Sequence, residues 1–196
     1  MEIMILWWLL IPVSYALGTF PTAHIVAGLV GHDPTTEGSG NPGATNVYRV
    51  AGAKAGAIVL IGDLLKGLTP SLVCLLIDGR NLALAAGMAA MVGHVAPITR
   101  KFNGGKGVAT LAGLSWVLYP FVALGLFILW IPLMKLFKRA SLGSIIMVLL
   151  FPVGVLVMPE TRWYEVIVAA AASAVVTIRH HENIKRLFKG EEKAIE

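Results

Sequence analysis

Charged residues are scarce in this sequence. Lys, Arg, Asp and Glu make up 14% of its 196 residues, whereas an ordinary soluble domain has about 25%. Hydrophobic residues make up 57%, and the mean hydropathy is +0.78. This composition argues against a soluble globular domain and indicates an integral membrane protein, in which apolar runs of about 20 residues cross the bilayer.

Cysteine and several enzyme signatures are also absent or nearly so. The one cysteine, Cys74, lies in an apolar run, which excludes a disulfide framework and a cysteine zinc site. We expect it to be a small buried side chain. There is no HExxH or GxSxG motif, and no histidine precedes an aspartate by five positions, as in the common glycerolipid acyltransferases. Acidic residues near the polar motifs are few, so we expect no metal and no cofactor.

Six apolar stretches are present, and the fourth is ambiguous. It has 27 residues without a charge, interrupted by Pro120, which is long for one membrane crossing and short for two. The stretches are 3–30, 55–77, 82–99, 108–134, 142–158 and 163–178.

Basic residues decide how often the fourth stretch crosses. If it crosses twice, turning near Tyr119-Pro120, thirteen basic residues share one side and only Arg80 and Arg162 face the other. If it crosses once, the division is six against nine. The positive-inside rule favours the first arrangement, so we predict an all-α protein with seven transmembrane helices, the N-terminus outside and the C-terminus cytoplasmic. The thirteen are Arg49, Lys54, Arg100, Lys101, Lys106, Lys135, Lys138, Arg139, Arg179, Lys185, Arg186, Lys189 and Lys193.

The two central crossings around Pro120 are then short. About thirteen residues each reach only about 20 Å at 1.5 Å per residue, less than the hydrocarbon thickness of about 30 Å. Non-helical backbone at membrane depth must be buried in protein or line a wet cavity, so we expect the segment "KFNGGKG" to be partly sunken. No linker or internal repeat divides residues 1–196, and a single multi-pass catalytic domain is predicted.

Four polar segments fall on the cytoplasmic side of this topology. The first, "EGSGNPGATNVYR", combines glycines that permit a tight backbone nest for anions with a following helix N-terminus and with Arg49, whose guanidinium can grip a phosphate. The alternative is a plain loop with Arg49 as a topology anchor. The others are "RKFNGGKGVAT", "KRASLGS" and "RHHENIKR".

The "GGKG" segment does not match a nucleotide-binding P-loop. That pattern needs a glycine where this chain has Arg100, and Ser or Thr where it has Gly107. A glycine-rich loop that carries Lys106 into a helix still suits a phosphate. Lys106 as a snorkelling topology residue is an equal alternative.

Other polar residues have structural interpretations. Asp63 and Lys66, three apart within an apolar stretch, suggest an ion pair that locks the bundle, although Lys66 is also able to approach an anion. We interpret His94 as a satisfied buried histidine, and His24 and His32 as structural. The "RHHENIKRLF" segment is typical of an interfacial helix.

The motifs "GSGNPGATN", "DLLKG", "KFNGGKGVAT", "SLGS" and "RHHENI", in this order, resemble the bacterial acyl-phosphate:glycerol-3-phosphate acyltransferase family. The resemblance implies a small enzyme of the bacterial inner membrane with its site at the cytoplasmic face. It implies transfer of a fatty acyl group from acyl phosphate to the sn-1 hydroxyl of glycerol 3-phosphate, giving lysophosphatidic acid and phosphate in phospholipid biosynthesis.

Two phosphate-bearing substrates require two anion pockets. We assign the acyl-phosphate pocket to Gly38, Ser39, Gly40, Asn41, Gly43, Ala44, Thr45 and Asn46. The catalytic set around glycerol 3-phosphate is Arg49, Lys106, Ser141, His181 and Asn183. Further contacts to glycerol 3-phosphate are expected from Lys101, Gly104, Gly105, Gly107, Thr110 and His180.

No nucleophile with an obvious base is visible, and a mixed anhydride is already activated. We therefore expect direct attack without an acyl-enzyme, the proton passing to His181 or to the departing phosphate. Membrane lipids are the expected surroundings, with no nucleic-acid partner and a monomeric state. The alternative function is a transporter of organic phosphates, although transporter sites usually lie at the midplane between repeated halves. A lipid-phosphate phosphatase would need a clearer nucleophile and acid–base pair.

Overall fold

The computed structural model describes residues 7–195, and all its regular elements there are helices. The chain forms two compact units, of which the first ends at Leu118 and the second begins at Tyr119. The all-α class is confirmed. The single catalytic domain stays a prediction.

In its described part, residues 7–118, the first unit has five complete α-helices and one 3-10 turn. The 3-10 turn, Ile98–Arg100, lies between the fourth and fifth helices. The helices are α1 (Leu10–Gly18), α2 (Thr22–Gly28), α3 (Ala44–Asp78), α4 (Arg80–Val95) and α5 (Val108–Leu118).

Glycines let the helices of the first unit approach at backbone distance. A methyl group placed on Gly67 of α3 would lie 1.9 Å from the carbonyl oxygen of Thr110 in α5, and one on Gly113 would lie 2.1 Å from that of Leu64. The pair α1–α4 meets in the same way, through Gly18 and Gly93. Small residues at such crossings are typical of helix packing in membranes.

Up to residue 195, the second unit contains four α-helices. Tyr119 anchors it, because its hydroxyl donates to Glu165 Oε2 at 2.8 Å and its ring meets Phe151 edge-on. The helices are α6 (Pro120–Phe137), α7 (Ala140–Leu156), α8 (Trp163–Arg179) and α9 (His181–Phe188).

Among the described residues, four helical segments are long and apolar enough to cross a membrane, and α5 and α7 are shorter apolar helices. The helix breaks between Leu118 and Pro120, where the sequence predicts a turn. However, α6 has 18 residues rather than about thirteen, because it continues past Lys135. The seven-span count and the positions of the termini stay predictions; the first stretch, 3–30, begins outside the described residues. The four segments are Leu10–Gly28, Ala44–Asp78, Arg80–Arg100 and Pro120–Phe137.

Candidate active site

The first polar segment forms a tight loop over residues 38–43, here named the glycine–asparagine loop. Gly38 and Gly40 adopt φ values of +66° and +70°, a region that favours glycine. The Asn46 amide closes the loop: its Oδ1 accepts the Ser39 N–H at 2.7 Å, and its Nδ2 donates to the carbonyls of Pro34 and Glu37 at 2.9 and 3.0 Å.

These bonds change which groups the loop offers to an anion. Both N–H donors of the buried Asn46 amide are used by backbone carbonyls, and the N–H groups of Ser39, Gly40 and Gly43 bond within the loop region. At the start of α3, the N–H groups of Ala44 and Thr45 have no acceptor inside the helix. The donors for an anion are therefore concentrated at the N-terminus of α3.

Arg49 lies on a short first segment of α3. That segment ends at Gly52, whose backbone is non-helical (φ +85°, ψ 173°). Beyond the break, Gly56 packs against the Tyr48 backbone so closely that a methyl group there would lie 2.8 Å from Tyr48 Cα. The kink gives the segment that carries Asn46 and Arg49 its own direction.

The second polar segment forms a loop over residues 103–107, here named the glycine–lysine loop. Gly104 and Gly105 are buried and Lys106 is half-buried, whereas Lys101 and Asn103 are exposed. The burial of the glycines agrees with the expectation of a sunken loop, and its depth in the membrane stays a prediction. Gly107, also buried, has a φ of +89°. Thr110, expected to contact substrate, donates its hydroxyl to the Asp63 carbonyl at 2.9 Å.

Both loops line one polar recess of the first unit. Pro42 of the glycine–asparagine loop and Gly104 and Gly105 of the glycine–lysine loop border about 250 Å³ of empty space, part of it open solvent. Five ionisable side chains are also among the lining residues. They are His24, Asp63, Lys66, His94 and Arg100.

In the second unit, two predicted site side chains and Arg186 converge on the carboxylate of Glu192. Ser141 Oγ and Asn183 Nδ2 both donate to Oε1, at 2.6 and 2.7 Å, and Arg186 Nε donates to Oε2 at 2.8 Å. Burial alone would raise the pKa of Glu192, but these three hydrogen bonds outweigh it and hold the pKa below the ordinary value of 4.5. The arrangement shows that Ser141, Asn183 and Arg186 together can receive an oxyanion.

The two adjacent histidines of the last motif have different surroundings. His180 is buried, and its Nδ1 donates to the Val176 carbonyl at 2.8 Å, which places the lone pair of the neutral ring on Nε2. The side chain of His181 is 63% exposed, and its Nε2 lies 3.1 Å from Glu182 Oε1. His180 and Asn183, three apart, are the buried members of this motif.

Comparisons with known proteins agree with this set of motifs. The family model described as glycerol-3-phosphate acyltransferase matches residues 8–190. The chain belongs to the glycerol-3-phosphate acyltransferase family. A relative from Syntrophotalea carbinolica is 43% identical over 184 residues, covering 91% of this chain and 92% of the relative. A relative from Trichlorobacter lovleyi is 41% identical over 180 residues, with the same coverage. Both are called glycerol-3-phosphate acyltransferase.

Solved structures of PlsY (YgiH), an integral membrane glycerol 3-phosphate acyltransferase, have the same fold. The glycerol 3-phosphate form matches with a TM-score of 0.91 and 34% identity, covering 97% of this chain and 96% of that one. The lysophosphatidic acid form matches with a TM-score of 0.88 and 35% identity. As a member of this family the chain is a multi-pass membrane acyltransferase of phospholipid biosynthesis, and the transporter alternative is set aside.

Sequence reasoning gave Lys66 an anion contact only as an alternative, gave His94 a structural role and did not single out Glu192. Lys66 and His94 had a signal, because polar side chains within apolar stretches are uncommon. Glu192 had none, because it lies in the segment "GEEK", which is indistinguishable from an ordinary charged tail.

Proposed function

We propose that this acyltransferase moves a fatty acyl group from acyl phosphate to the sn-1 hydroxyl of glycerol 3-phosphate, releasing lysophosphatidic acid and phosphate. The names of the relatives support glycerol 3-phosphate as the acceptor. The lysophosphatidic acid form of a similar structure supports the product. The acyl-phosphate donor is supported by the number of anion-binding elements in the chain.

The observation that carries the proposal is the recess shared by the two loops. Pro42 of the glycine–asparagine loop and Gly104 and Gly105 of the glycine–lysine loop line the same recess, together with Lys66 and Arg100. One glycine-rich loop is enough to bind one phosphate. A reaction in which both substrates bear a phosphate gives each loop a phosphate to bind.

Each phosphate is assigned to one set of groups. The donor phosphate lies at the glycine–asparagine loop and the first turn of α3, from Gly38 to Asn46, where Ala44 and Thr45 present N–H groups. Glycerol 3-phosphate is held by Arg49, Lys106 and the glycine–lysine loop. Ser141, His180 and Asn183 of the second unit are proposed as further contacts of glycerol 3-phosphate. Ser141 and Asn183 would make these contacts in place of their hydrogen bonds to Glu192.

The reaction is direct acyl transfer. The sn-1 oxygen bonds to the carbonyl carbon, a tetrahedral oxyanion forms, and the bond from carbon to the bridging phosphate oxygen breaks as phosphate leaves. Backbone N–H groups and cations stabilise both the oxyanion and the departing phosphate. We assign the hydroxyl proton to His180 Nε2 rather than to the exposed His181, because His180 is buried and has its ring tautomer fixed.

The site faces the cytoplasm of a bacterial inner membrane. This placement rests on the thirteen basic residues that share the side of the polar motifs. The acyl chain lies between helices and opens toward lipid, and the enzyme acts as a monomer with seven spans.

Two measurements on purified protein in detergent test the proposal. With labelled glycerol 3-phosphate and acyl phosphate, lysophosphatidic acid should form without vesicles, whereas transport needs two compartments. Intact-protein mass spectrometry with acyl phosphate alone should detect no added acyl group. A covalent acyl-enzyme that goes on to product would exclude direct attack.

A further inference from the structure

Three buried polar side chains lie behind the glycine–lysine loop. Lys66 Nζ is 2.6 Å from Asp63 Oδ1, and His94 Nδ1 is 3.6 Å from the same oxygen. The three side chains are 8%, 3% and 7% exposed, respectively. Burying charges among apolar helices has a desolvation cost, and such charges usually have a functional role. The contacts of these three side chains therefore indicate what that role is.

The glycine–lysine loop packs against His94. The His94 carbonyl oxygen accepts the Gly105 N–H at 3.1 Å. A methyl group on Gly105 would lie 2.1 Å from His94 Nε2, and one on Gly104 would lie 2.1 Å from the His94 carbonyl oxygen. The imidazole ring thus supports Gly105, and the backbone of the same residue supports Gly104.

The downstream end of the loop is tied to the same turn of α3. Thr110 Oγ1 donates to the Asp63 carbonyl, and the Gly67 backbone lies against the Thr110 carbonyl. Asp63 therefore holds the loop by two routes, through its side chain to His94 and through its carbonyl to α5. Lys106 lies between these two attachments.

We infer that Asp63, Lys66 and His94 are positioning residues for Lys106. The ion pair fixes the imidazole, the imidazole fixes Gly105, and Gly105 fixes the backbone that presents Lys106 to the phosphate of glycerol 3-phosphate. All three also line the recess, but the role inferred for them is to hold the loop rather than to contact the substrate. The inference rests on the proposed assignment of the glycine–lysine loop to that substrate.

A double-mutant cycle with a matched control tests the contact between ring and loop. Gly105→Ala and His94→Ala should each lower kcat/KM by about 100-fold, the usual effect of a displacement near 1 Å. The double variant should stay within about twofold of His94→Ala, because the clashing ring is gone. Gly104→Ala is the control, because its methyl group clashes with the residue 94 carbonyl, which is still present in His94→Ala. Gly104→Ala should therefore lower kcat/KM by the same factor in the wild type and in His94→Ala.

A KM-against-kcat split separates positioning from loss of folded protein. In the variants, KM for glycerol 3-phosphate should rise while KM for acyl phosphate is unchanged. A merely destabilised enzyme would lose Vmax with both KM values unchanged. Near wild-type kcat/KM in His94→Ala, or equal rescue of Gly104→Ala and Gly105→Ala, would overturn the inference.

The ion pair is tested independently by Asp63→Asn/Lys66→Met, which removes both buried charges together. We expect a Tm near that of the wild type, with KM for glycerol 3-phosphate raised about tenfold. Unchanged KM in this folded variant would overturn the role of the pair. If wild-type protein makes no product from acyl phosphate, the proposed function fails. If it does and the cycle is additive, only the positioning inference fails.

Discussion

At the scale of single residues, polar side chains in this protein perform two different tasks. Asn46 and Thr110 were expected to contact substrate, and the structure shows them bonded to backbone carbonyls that hold the loops. Ser141 and Asn183 instead share the carboxylate of Glu192. Asn46 and Thr110 therefore stabilise the loops, whereas Ser141 and Asn183 bind a carboxylate.

Glu192 should stabilise the second unit. Glu192→Gln keeps the size of the side chain but removes its charge. It also replaces one of the two accepting oxygens by an NH₂ group, which cannot accept a hydrogen bond. Losing charge-assisted hydrogen bonds costs about 1.5–3 kcal/mol, so the unfolding midpoint at pH 7 should fall. Glu191→Gln is the control, because it removes the same charge from an exposed neighbouring residue.

The contribution of Glu192 should also depend on pH. Its folded pKa lies below the ordinary value of 4.5, so the stabilisation is complete above that value and is lost as the pH falls through the folded pKa. The stability difference between wild type and Glu192→Gln should therefore shrink below about pH 4.5. A difference that stays constant down to pH 3 would contradict the ionised hydrogen-bonded carboxylate.

The two neighbouring histidines give a paired prediction. His180→Ala should lower kcat by about 100-fold or more, the usual loss when a general base is removed, whereas His181→Ala should stay close to wild type. Steady-state kinetics at saturating substrates measures both. If the effects are reversed, the exposed histidine is the base, and if both variants keep full kcat, the departing phosphate takes the proton.

At the scale of the elements, the kink at Gly52 sets the direction of the segment that carries Arg49. Its backbone angles lie in a region that is essentially restricted to glycine. Gly52→Ala should therefore lower the free energy of unfolding by about 1–3 kcal/mol. It should also raise KM for glycerol 3-phosphate, because the short segment that carries Arg49 rotates.

Gly125→Ala in α6 is the matched control for this element. It too places a methyl group where nothing lies within 4 Å, but at a helical glycine without positive φ, and alanine there favours the helix. Thermal unfolding in detergent compares the two. Equal midpoints would show that the Gly52 backbone is not strained by a side chain.

Helix breaks differ in how readily the sequence reveals them. Pro120 predicts one because proline removes an N–H donor and starts helices well, and α6 begins there. Gly52 lies in "VAGAKAG", and an isolated glycine is compatible with a continuous helix. At the kink, Gly56 packs closely against Tyr48, a contact that the glycine pattern of the sequence does not indicate.

At the scale of the whole molecule, the topology gives a labelling prediction. In a Cys74→Ala background, Asn81→Cys and Glu160→Cys should both react with an impermeant maleimide added to intact cells, and Glu191→Cys should react only after permeabilisation. These substitutions leave every basic residue in place. If Glu160→Cys is protected and Glu191→Cys is labelled, the segment around Pro120 crosses only once.

The site as a whole could be predicted only in part. Polar motifs are visible in an apolar chain because composition separates them, so the sequence indicates both loops and the "RHHENI" segment as candidate site segments. It does not indicate the contacts of Glu192 and His94, because one looks like a surface charge and the other like an ordinary buried histidine. Their roles depend on distances between residues far apart in the chain.

The central claim is a site for two phosphate-bearing substrates, and product stoichiometry tests it most directly. Purified protein in detergent is given labelled glycerol 3-phosphate with either acyl phosphate or the matching acyl thioester. The account predicts lysophosphatidic acid and inorganic phosphate in equal amounts from acyl phosphate, and no product from the thioester. Equal rates with both donors, or product without phosphate release, would contradict it.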